Sequence, residues 1–95
     1  MAVYFIADLD IHDGAGIEDY RKRVPATIQK YGGKYLVRGG KFEKLEGSWN
    51  PKRVVILEFP GVEQAKRWYF SVEYRDLKGL RQKAAKTNLV LVEGV

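Results

Sequence analysis

The chain of 95 residues has a net charge of +5, no cysteine and a single histidine, and 45% of its residues are hydrophobic. A chain of this length folds around one core, so residues 1–95 are taken as a single domain. The absence of cysteine excludes disulfides and thiolate metal sites and is typical of a cytoplasmic protein. No apolar run reaches the roughly 20 residues of a membrane helix, and no basic signal-peptide segment begins the chain, so we expect no membrane partner.

Alternating hydrophobic residues predict a first strand over residues 2–11. The residues on one face of this strand are Val3, Phe5, Ala7, Leu9 and Ile11. The other face begins with Tyr4 and Ile6, and a strand that is apolar on both faces is typically covered on both sides. In the turn that follows, Asp13 is a suitable N-cap for a helix.

Helical spacing then predicts an amphipathic helix over residues 16–31. Its apolar stripe consists of Ile17, Tyr20, Val24, Ile28 and Tyr31. Pro25 lies inside this pattern and has no backbone N–H, so we expect it to kink or divide the helix. The pair Gly32–Gly33 suits the C-terminal cap.

A second strand is predicted over residues 34–38. The pair Gly39–Gly40 follows it and predicts either a β-bulge or a close approach of another group to the backbone at that point. Arg38 therefore lies where the strand bends, which makes it the most suggestive polar residue of the chain. The connection over residues 41–52 is long and contains Trp49 among other apolar side chains, so it either extends the strand or contacts a second subunit.

The remaining chain predicts a strand, a broken helical segment and a last strand. Residues 53–59 are almost continuously hydrophobic, which favours a central strand. A short helix over residues 62–70 is followed by Ser71, which is a suitable cap for the next helix. Residues 88–93 form the final strand.

The order βαββαβ predicts an α+β, ferredoxin-like fold, in which both helical segments cover one face of a four-stranded antiparallel sheet. Three of the strands nevertheless carry apolar residues on both faces. The open face therefore needs a partner, and pairing two sheets across a two-fold axis is the simplest arrangement. We predict a homodimer.

Several segments resemble a known family: YGGKYLVRGG at 31–40, LEG at 45–47, RVVILEFP at 53–60, AKRWY at 65–69 and SVEY at 71–74, with Leu80, Arg81 and Asn88 further on. Together these segments resemble the domain-of-unknown-function 1330 (DUF1330) family, within the dimeric α+β barrel superfamily, and the resemblance covers essentially the whole chain. Val72 stands where that family usually has proline. The resemblance implies that two sheets pair into a dimeric α+β barrel, but it implies no activity. The superfamily includes cofactor-free monooxygenases, lactone isomerases, haem-degrading enzymes and proteins with no known catalysis.

Arg38 and Glu58 form the first candidate site, because the second and third strands are expected to be antiparallel neighbours. The planar guanidinium of Arg38 suits a carboxylate ligand. A structural ion pair on a half-buried sheet explains the same two residues. A third reading is that Glu58 holds Arg38 in place for a ligand.

Four aromatic residues form the second candidate site: Tyr35, Trp68, Tyr69 and Tyr74. Together they are suited to line an apolar pocket between helices and sheet, with hydroxyl groups that orient a ligand. Core packing, with each hydroxyl satisfied locally, is the alternative for any one of them.

Other functional sites have weaker support in the sequence. His12 lies between Asp10 and Asp13 and is either a general base or an ordinary surface residue of a turn. No spacing typical of metal ligands appears, so neither a metal nor a cofactor is expected. RNA-recognition modules share the βαββαβ order, but their third strand carries exposed aromatics and residues 53–59 offer only Phe59, so no nucleic-acid partner is expected.

Two functions stay open at this point. The first is a cofactor-independent enzyme, monooxygenase-like or isomerase-like, acting on a small, partly apolar acidic or aromatic compound. The second is a non-catalytic small-molecule-binding or accessory protein that uses the same cleft.

Overall fold

Four strands and three helices follow one another along the chain in a computed structural model that describes residues 1–95. The elements are β1 (Val3–Ile11), α1 (Gly14–Lys30), β2 (Lys34–Arg38), β3 (Val54–Phe59), α2 (Val62–Tyr69), α3 (Val72–Ala84) and β4 (Ala85–Glu93). All strand pairs are antiparallel, in the order β2-β3-β1-β4. This is the predicted α+β, ferredoxin-like fold. None of its helices has the length and apolar character needed to cross a membrane.

The core lies between one face of the sheet and the helices. On β1 the predicted inner face is confirmed, with Val3, Phe5 and Leu9 buried. Phe59 on β3 and Trp68 on α2 are buried with them, and the ring of Phe5 lies 5.8 Å and 5.4 Å from theirs. These large side chains fill one end of the space under α1 and α3.

Helix α1 runs unbroken through Pro25, so the expected division of the helix does not occur. The side chain of Asp13 caps its start by accepting a hydrogen bond from Gly16 N at 3.0 Å, as predicted. Proline has no N–H to donate to the carbonyl four residues before it, which here is that of Arg21. Arg38 Nη2 donates to this carbonyl oxygen at 2.8 Å and so replaces the missing hydrogen bond.

Strand β2 contains a bulge at Leu36 rather than at Gly39–Gly40, so the predicted position was wrong. The register shows the shift: Tyr35 pairs with Leu57, Val37 with Ile56 and Arg38 with Val55. Because side chains alternate between the faces of a strand, Tyr35 and Arg38 would lie on opposite faces without the extra residue. The bulge therefore places Arg38 on the helix-covered face together with Tyr35.

Asp8 fixes the connection between β2 and β3 to the sheet. Its carboxylate accepts hydrogen bonds from Lys52 N at 2.8 Å, Arg53 N at 3.3 Å and Trp49 Nε1 at 3.0 Å. Burial alone would raise the pKa of Asp8, but these hydrogen bonds outweigh it and lower the pKa below its ordinary value. Trp49 nevertheless stays 58% exposed, so much of this large apolar side chain is uncovered within one chain.

The face of the sheet away from the helices carries an apolar row across all four strands. Val37 pairs with Ile56, Ile56 with Ile6, and Ile6 with Val90. No helix covers this row, and Val90 is 58% exposed. We call these four residues the open-face row.

At the surface, Glu73 joins the end of α1 to the start of α3. Its carboxylate accepts hydrogen bonds from Lys30 Nζ and from the Tyr31 hydroxyl, the latter at 2.8 Å. These donors, Lys30 foremost, lower the pKa of Glu73 from 4.5 to about 2. The ionised form of this carboxyl is therefore favoured in the folded protein.

We expect the Glu73 carboxyl to titrate near pH 2 when its carbon resonance is followed by NMR. Because its folded-state pKa lies below the unfolded value, its contribution to stability is complete above about pH 4.5 and is lost as the pH falls toward 2. Lys30→Met should move the midpoint back toward 4.5. Lys22→Met, at an exposed position of the same helix, should leave it unchanged. A midpoint near 4.5 in the unsubstituted protein would contradict this account.

Candidate functional site

A cavity of about 60 Å³ lies between α1, α3 and the inner face of the sheet. This volume has room for about four water molecules or a similar number of ligand atoms, and the cavity opens to solvent beyond it. Of its 19 lining residues, 14 are hydrophobic and the other five are Arg21, Arg38, Arg53, Arg81 and Thr87. The lining thus carries four cationic side chains and no carboxylate.

Three of these arginines lie together on the side of the cavity formed by α1, β2 and β3. Arg38 donates to the backbone of Arg21, and its guanidinium carbon lies 4.6 Å from the centroid of the Tyr35 ring. Burial, together with the positive charges of Arg21 and Arg38, lowers the pKa of Arg53. The closest carboxylate to any of the three is that of Glu18, 3.9 Å from Arg21. This group of three is called the arginine mouth.

Gly39 makes room for one member of the arginine mouth. Its φ of +69° lies in the left-handed region that favours glycine. A Cβ at this position would also run into the guanidinium of Arg53. Gly39 therefore forms no bulge, and the alternative prediction of a close approach to its backbone agrees with the structure, because the Arg53 guanidinium lies against it at the end of β2.

Two tyrosines and the fourth arginine form a hydrogen-bonded chain on the helix side of the cavity. The hydroxyl oxygens of Tyr20 and Tyr74 lie 2.8 Å apart, and Arg81 Nε donates to the Tyr74 oxygen at 3.3 Å. Tyr74 is 2% exposed and Arg81 is 6% exposed. Burial, followed by the adjacent Tyr74, raises the pKa of Tyr20 well above its ordinary value, so its hydroxyl stays protonated.

The structure brings four of the six predicted site residues to this cavity: Tyr35, Arg38, Trp68 and Tyr74. Trp68 also serves the core, since its Nε1 donates to Thr27 Oγ1 at 3.0 Å and its ring lies 4.1 Å from that of Tyr74. Trp68 therefore packs in the core, as the structural alternative predicted, and also lies at the cavity.

Glu58 and Tyr69 do not line the cavity. The predicted pairing of Arg38 with Glu58 is wrong, because the register sets Glu58 opposite Lys34 and their charged groups lie 3.5 Å apart. Tyr69 packs its ring 5.9 Å from that of Phe5 and beneath the ammonium group of Lys78.

His12 lies exposed in the turn after β1, outside the cavity lining. No three histidine or acidic side chains come together as metal ligands.

Sequence reasoning had overlooked Arg53 and Arg81, although signals for both were present. Arg53 shares the parity of Leu57 and Phe59, which point inward from β3. Arg81 follows Leu77 by four residues, which places it on the buried stripe of α3. In each case the signal is a positively charged residue at a position where the pattern otherwise has apolar, inward-facing residues.

Pro25→Ala tests how Arg38 is held. The new N–H restores the helical hydrogen bond to the Arg21 carbonyl, so we expect the Arg38 guanidinium to lose that acceptor and to become mobile. Stability should stay the same or rise, because proline in a helix interior costs about 3 kcal/mol relative to alanine. NMR relaxation of Arg38 Nε measures the change, with Pro60→Ala as the control at an exposed proline. Unchanged relaxation would show that the hydrogen bond does not restrain Arg38.

Residues 2–95 match the model of one protein family, described as a domain of unknown function (DUF1330). No curated protein matches the chain.

Solved structures that are similar to this chain include the following. The crystal structure of RPA0582, a protein of unknown function from Rhodopseudomonas palustris, has a TM-score of 0.80 at 18% identity, covering 99% of this chain and 82% of that one. Methylated RPA0582 gives a TM-score of 0.79 at 18% identity, covering 99% and 81%. SnoaB, a cofactor-independent oxygenase from Streptomyces nogalater, gives a TM-score of 0.68 at 11% identity, covering 99% and 93%. At such identities the likeness shows the fold alone.

Proposed function

We propose a function for this chain, which belongs to the DUF1330 family of domains of unknown function: it binds a small organic acid in the cavity between the helices and the sheet. The observation that carries the proposal is the charge imbalance of the lining, with four arginines and no carboxylate. Arg81 is buried, whereas Arg38 is exposed and the Arg21 side chain is 38% exposed. A charge held away from water is normally paired, and none of the four arginines has an acidic partner within the cavity lining. An anionic ligand would supply the missing charge.

The apolar part of the lining supports an organic rather than an inorganic anion. Ligand pockets are mostly hydrophobic, with a few polar groups that fix orientation, and here 14 of 19 lining residues are hydrophobic. The enclosed space takes only a few atoms, so the compound is small or extends toward the solvent.

Binding without turnover is the function that the geometry supports best. The lining offers no carboxylate, imidazole or thiol to act as a general base or nucleophile, and burial keeps the hydroxyls of Tyr20 and Tyr35 protonated by raising their pKa. A cofactor-independent enzyme is the second candidate, for a substrate that enters already as an enolate or phenolate. Guanidinium and hydroxyl donors would stabilise such an oxyanion, and the fold is similar to that of the oxygenase SnoaB.

Isothermal titration calorimetry tests the binding proposal. Monocarboxylates from acetate to benzoate are titrated into the protein, and the neutral amide of each acid is titrated in parallel. We expect at least one acid to bind and its amide not to bind. Arg38→Gln should weaken the binding of that acid about 10- to 100-fold, because hydrogen bonds to charged groups contribute roughly 1.5–3 kcal/mol.

Arg23→Gln is the matched control, because Arg23 lies on α1, pairs with Asp19 at 3.0 Å and is absent from the lining. Equal binding of acids and amides would overturn the proposal, as would an equal loss of affinity in the two variants.

The protein would function as a homodimer that covers the open-face row. That row and the exposed ring of Trp49 lie on the same side of the sheet, since Trp49 is bonded to Asp8. An apolar sheet face of this kind supports pairing with a second copy across a two-fold axis.

A further inference from the structure

Arg81 is the most deeply buried charged group of the protein and has no acidic partner. It lies in the last turn of α3, at 6% exposure, and its one hydrogen bond goes to a phenol oxygen. The partial negative charge at a helix C-terminus offsets part of the cost of burying this charge. A charge held away from bulk water is normally balanced by a group of opposite charge, and the helix end alone supplies only part of that balance.

The part of the cavity around Arg81 has more hydrogen-bond donors than acceptors. The hydroxyls of Tyr20 and Tyr74 share one hydrogen bond, so one of their two protons remains unused. Arg81 Nε is engaged with Tyr74, and the other guanidinium N–H groups have no acceptor within the protein and stay accessible to solvent. The buried Thr87 Oγ1, which lines the same cavity, also has no partner. The surplus groups are almost all donors, which suits a ligand oxygen that carries negative charge.

We infer that Arg81, with the hydroxyls of Tyr74 and Tyr20, is a second anion-binding subsite of the cavity, distinct from the arginine mouth. This inference rests on the proposed function, because it assigns part of the same ligand. Arg81 contacts the ligand directly, and Tyr74 positions its guanidinium.

The two subsites lie toward opposite edges of the sheet. Arg38 is on β2 and Arg53 precedes β3, whereas Arg81 is on α3, near Thr87 of β4. Strands β3 and β1 separate the edge strands β2 and β4, which sets the edge backbones about 14 Å apart at normal strand spacing. Long side chains reach inward from both edges, over a floor that includes Ala7. The ligand class that this arrangement favours is a short dicarboxylic acid, or an acid with a second oxyanion at its far end. Because the enclosed space takes only a few atoms, part of such a ligand would lie in the section of the cavity that opens to solvent.

The test compares dicarboxylates from malonate to adipate with monocarboxylates of equal chain length. In the unsubstituted protein we expect one dicarboxylate to bind at least tenfold more tightly than its monocarboxylate, and to shift the NMR signal of Arg81 Nε–H. Arg81→Gln should abolish that preference while keeping the monocarboxylate affinity. Arg75→Gln, at an exposed position of the same helix, should change neither.

Tyr74→Phe is the second variant and keeps the test decisive if Arg81→Gln does not fold. Removing the hydroxyl should reduce the preference for the dicarboxylate, because the guanidinium loses its anchor. A preference that survives both substitutions, or an Arg81 Nε–H signal that no dicarboxylate moves, would show that Arg81 is structural. Monocarboxylate binding without any dicarboxylate preference would overturn this inference alone. Failure of every carboxylate to bind would overturn the proposed function with it.

Discussion

In the proposed homodimer, replacing Ile56 by aspartate should break the interface and leave a monomer at micromolar concentration. Ile56 occupies the centre of the open-face row, between Val37 and Ile6. A two-fold axis brings the substitution into the interface twice, so two carboxylates would lose water without a partner. At several kcal/mol for each, the dimer should weaken by about a thousandfold or more.

Sedimentation velocity across a concentration series measures this change. Val72→Asp is the control, because Val72 is 73% exposed at the start of α3, on the other side of the sheet. We expect that variant to sediment as the unsubstituted protein does. A monomer before any substitution would contradict the homodimer, and an Ile56→Asp variant that stays dimeric would place the interface elsewhere.

Replacing Gly33 by alanine should lower the free energy of unfolding by about 2–3 kcal/mol. A Cβ here would lie 2.5 Å from the ring of Phe59 and 2.8 Å from Ile28 Cγ2. Both neighbours are fully buried, at 0% and 1% exposure, so neither has space to move aside. Real Cβ atoms do not approach other atoms so closely, and the α1–β2 turn must therefore shift away from the core.

Gly40→Ala is the matched control for urea unfolding of the Gly33 variant. Nothing lies within 4 Å of a Cβ at Gly40, and this glycine has no positive φ. We expect no loss of stability there, and a gain of up to about 1 kcal/mol from the stiffer unfolded chain. Equal effects at the two positions would show that the contact with Phe59 is relieved without cost.

The sequence was sufficient to predict the architecture because the spacing of hydrophobic residues along the chain changes where a strand is followed by a helix. The inner face of β1, the Asp13 and Ser71 caps and the break between α2 and α3 all follow from local patterns. The glycine pair after α1 also ends that helix as predicted, with Gly32 at a φ of +84°.

The site was only partly predictable because its geometry depends on register. One extra residue at Leu36 decides which face Arg38 occupies, and nothing in the local sequence marks that position. The same shift is why Arg38 has a backbone carbonyl and not Glu58 as its partner. Pro25 in a helical pattern predicts a kink or a division of the helix. Its actual consequence is that the Arg21 carbonyl receives no helical hydrogen bond and accepts one from Arg38 of β2 instead, which depends on how α1 packs on the sheet.

A crystal structure of the protein with the tightest-binding carboxylate is the most direct test of the proposal that the cavity holds an organic anion. We predict that a carboxylate group lies within hydrogen-bonding distance of Arg38 or Arg53, with its apolar part against the hydrophobic lining of the cavity. A carboxylate bound only at the outer surface, with the arginine mouth still without an anion, would contradict the proposal.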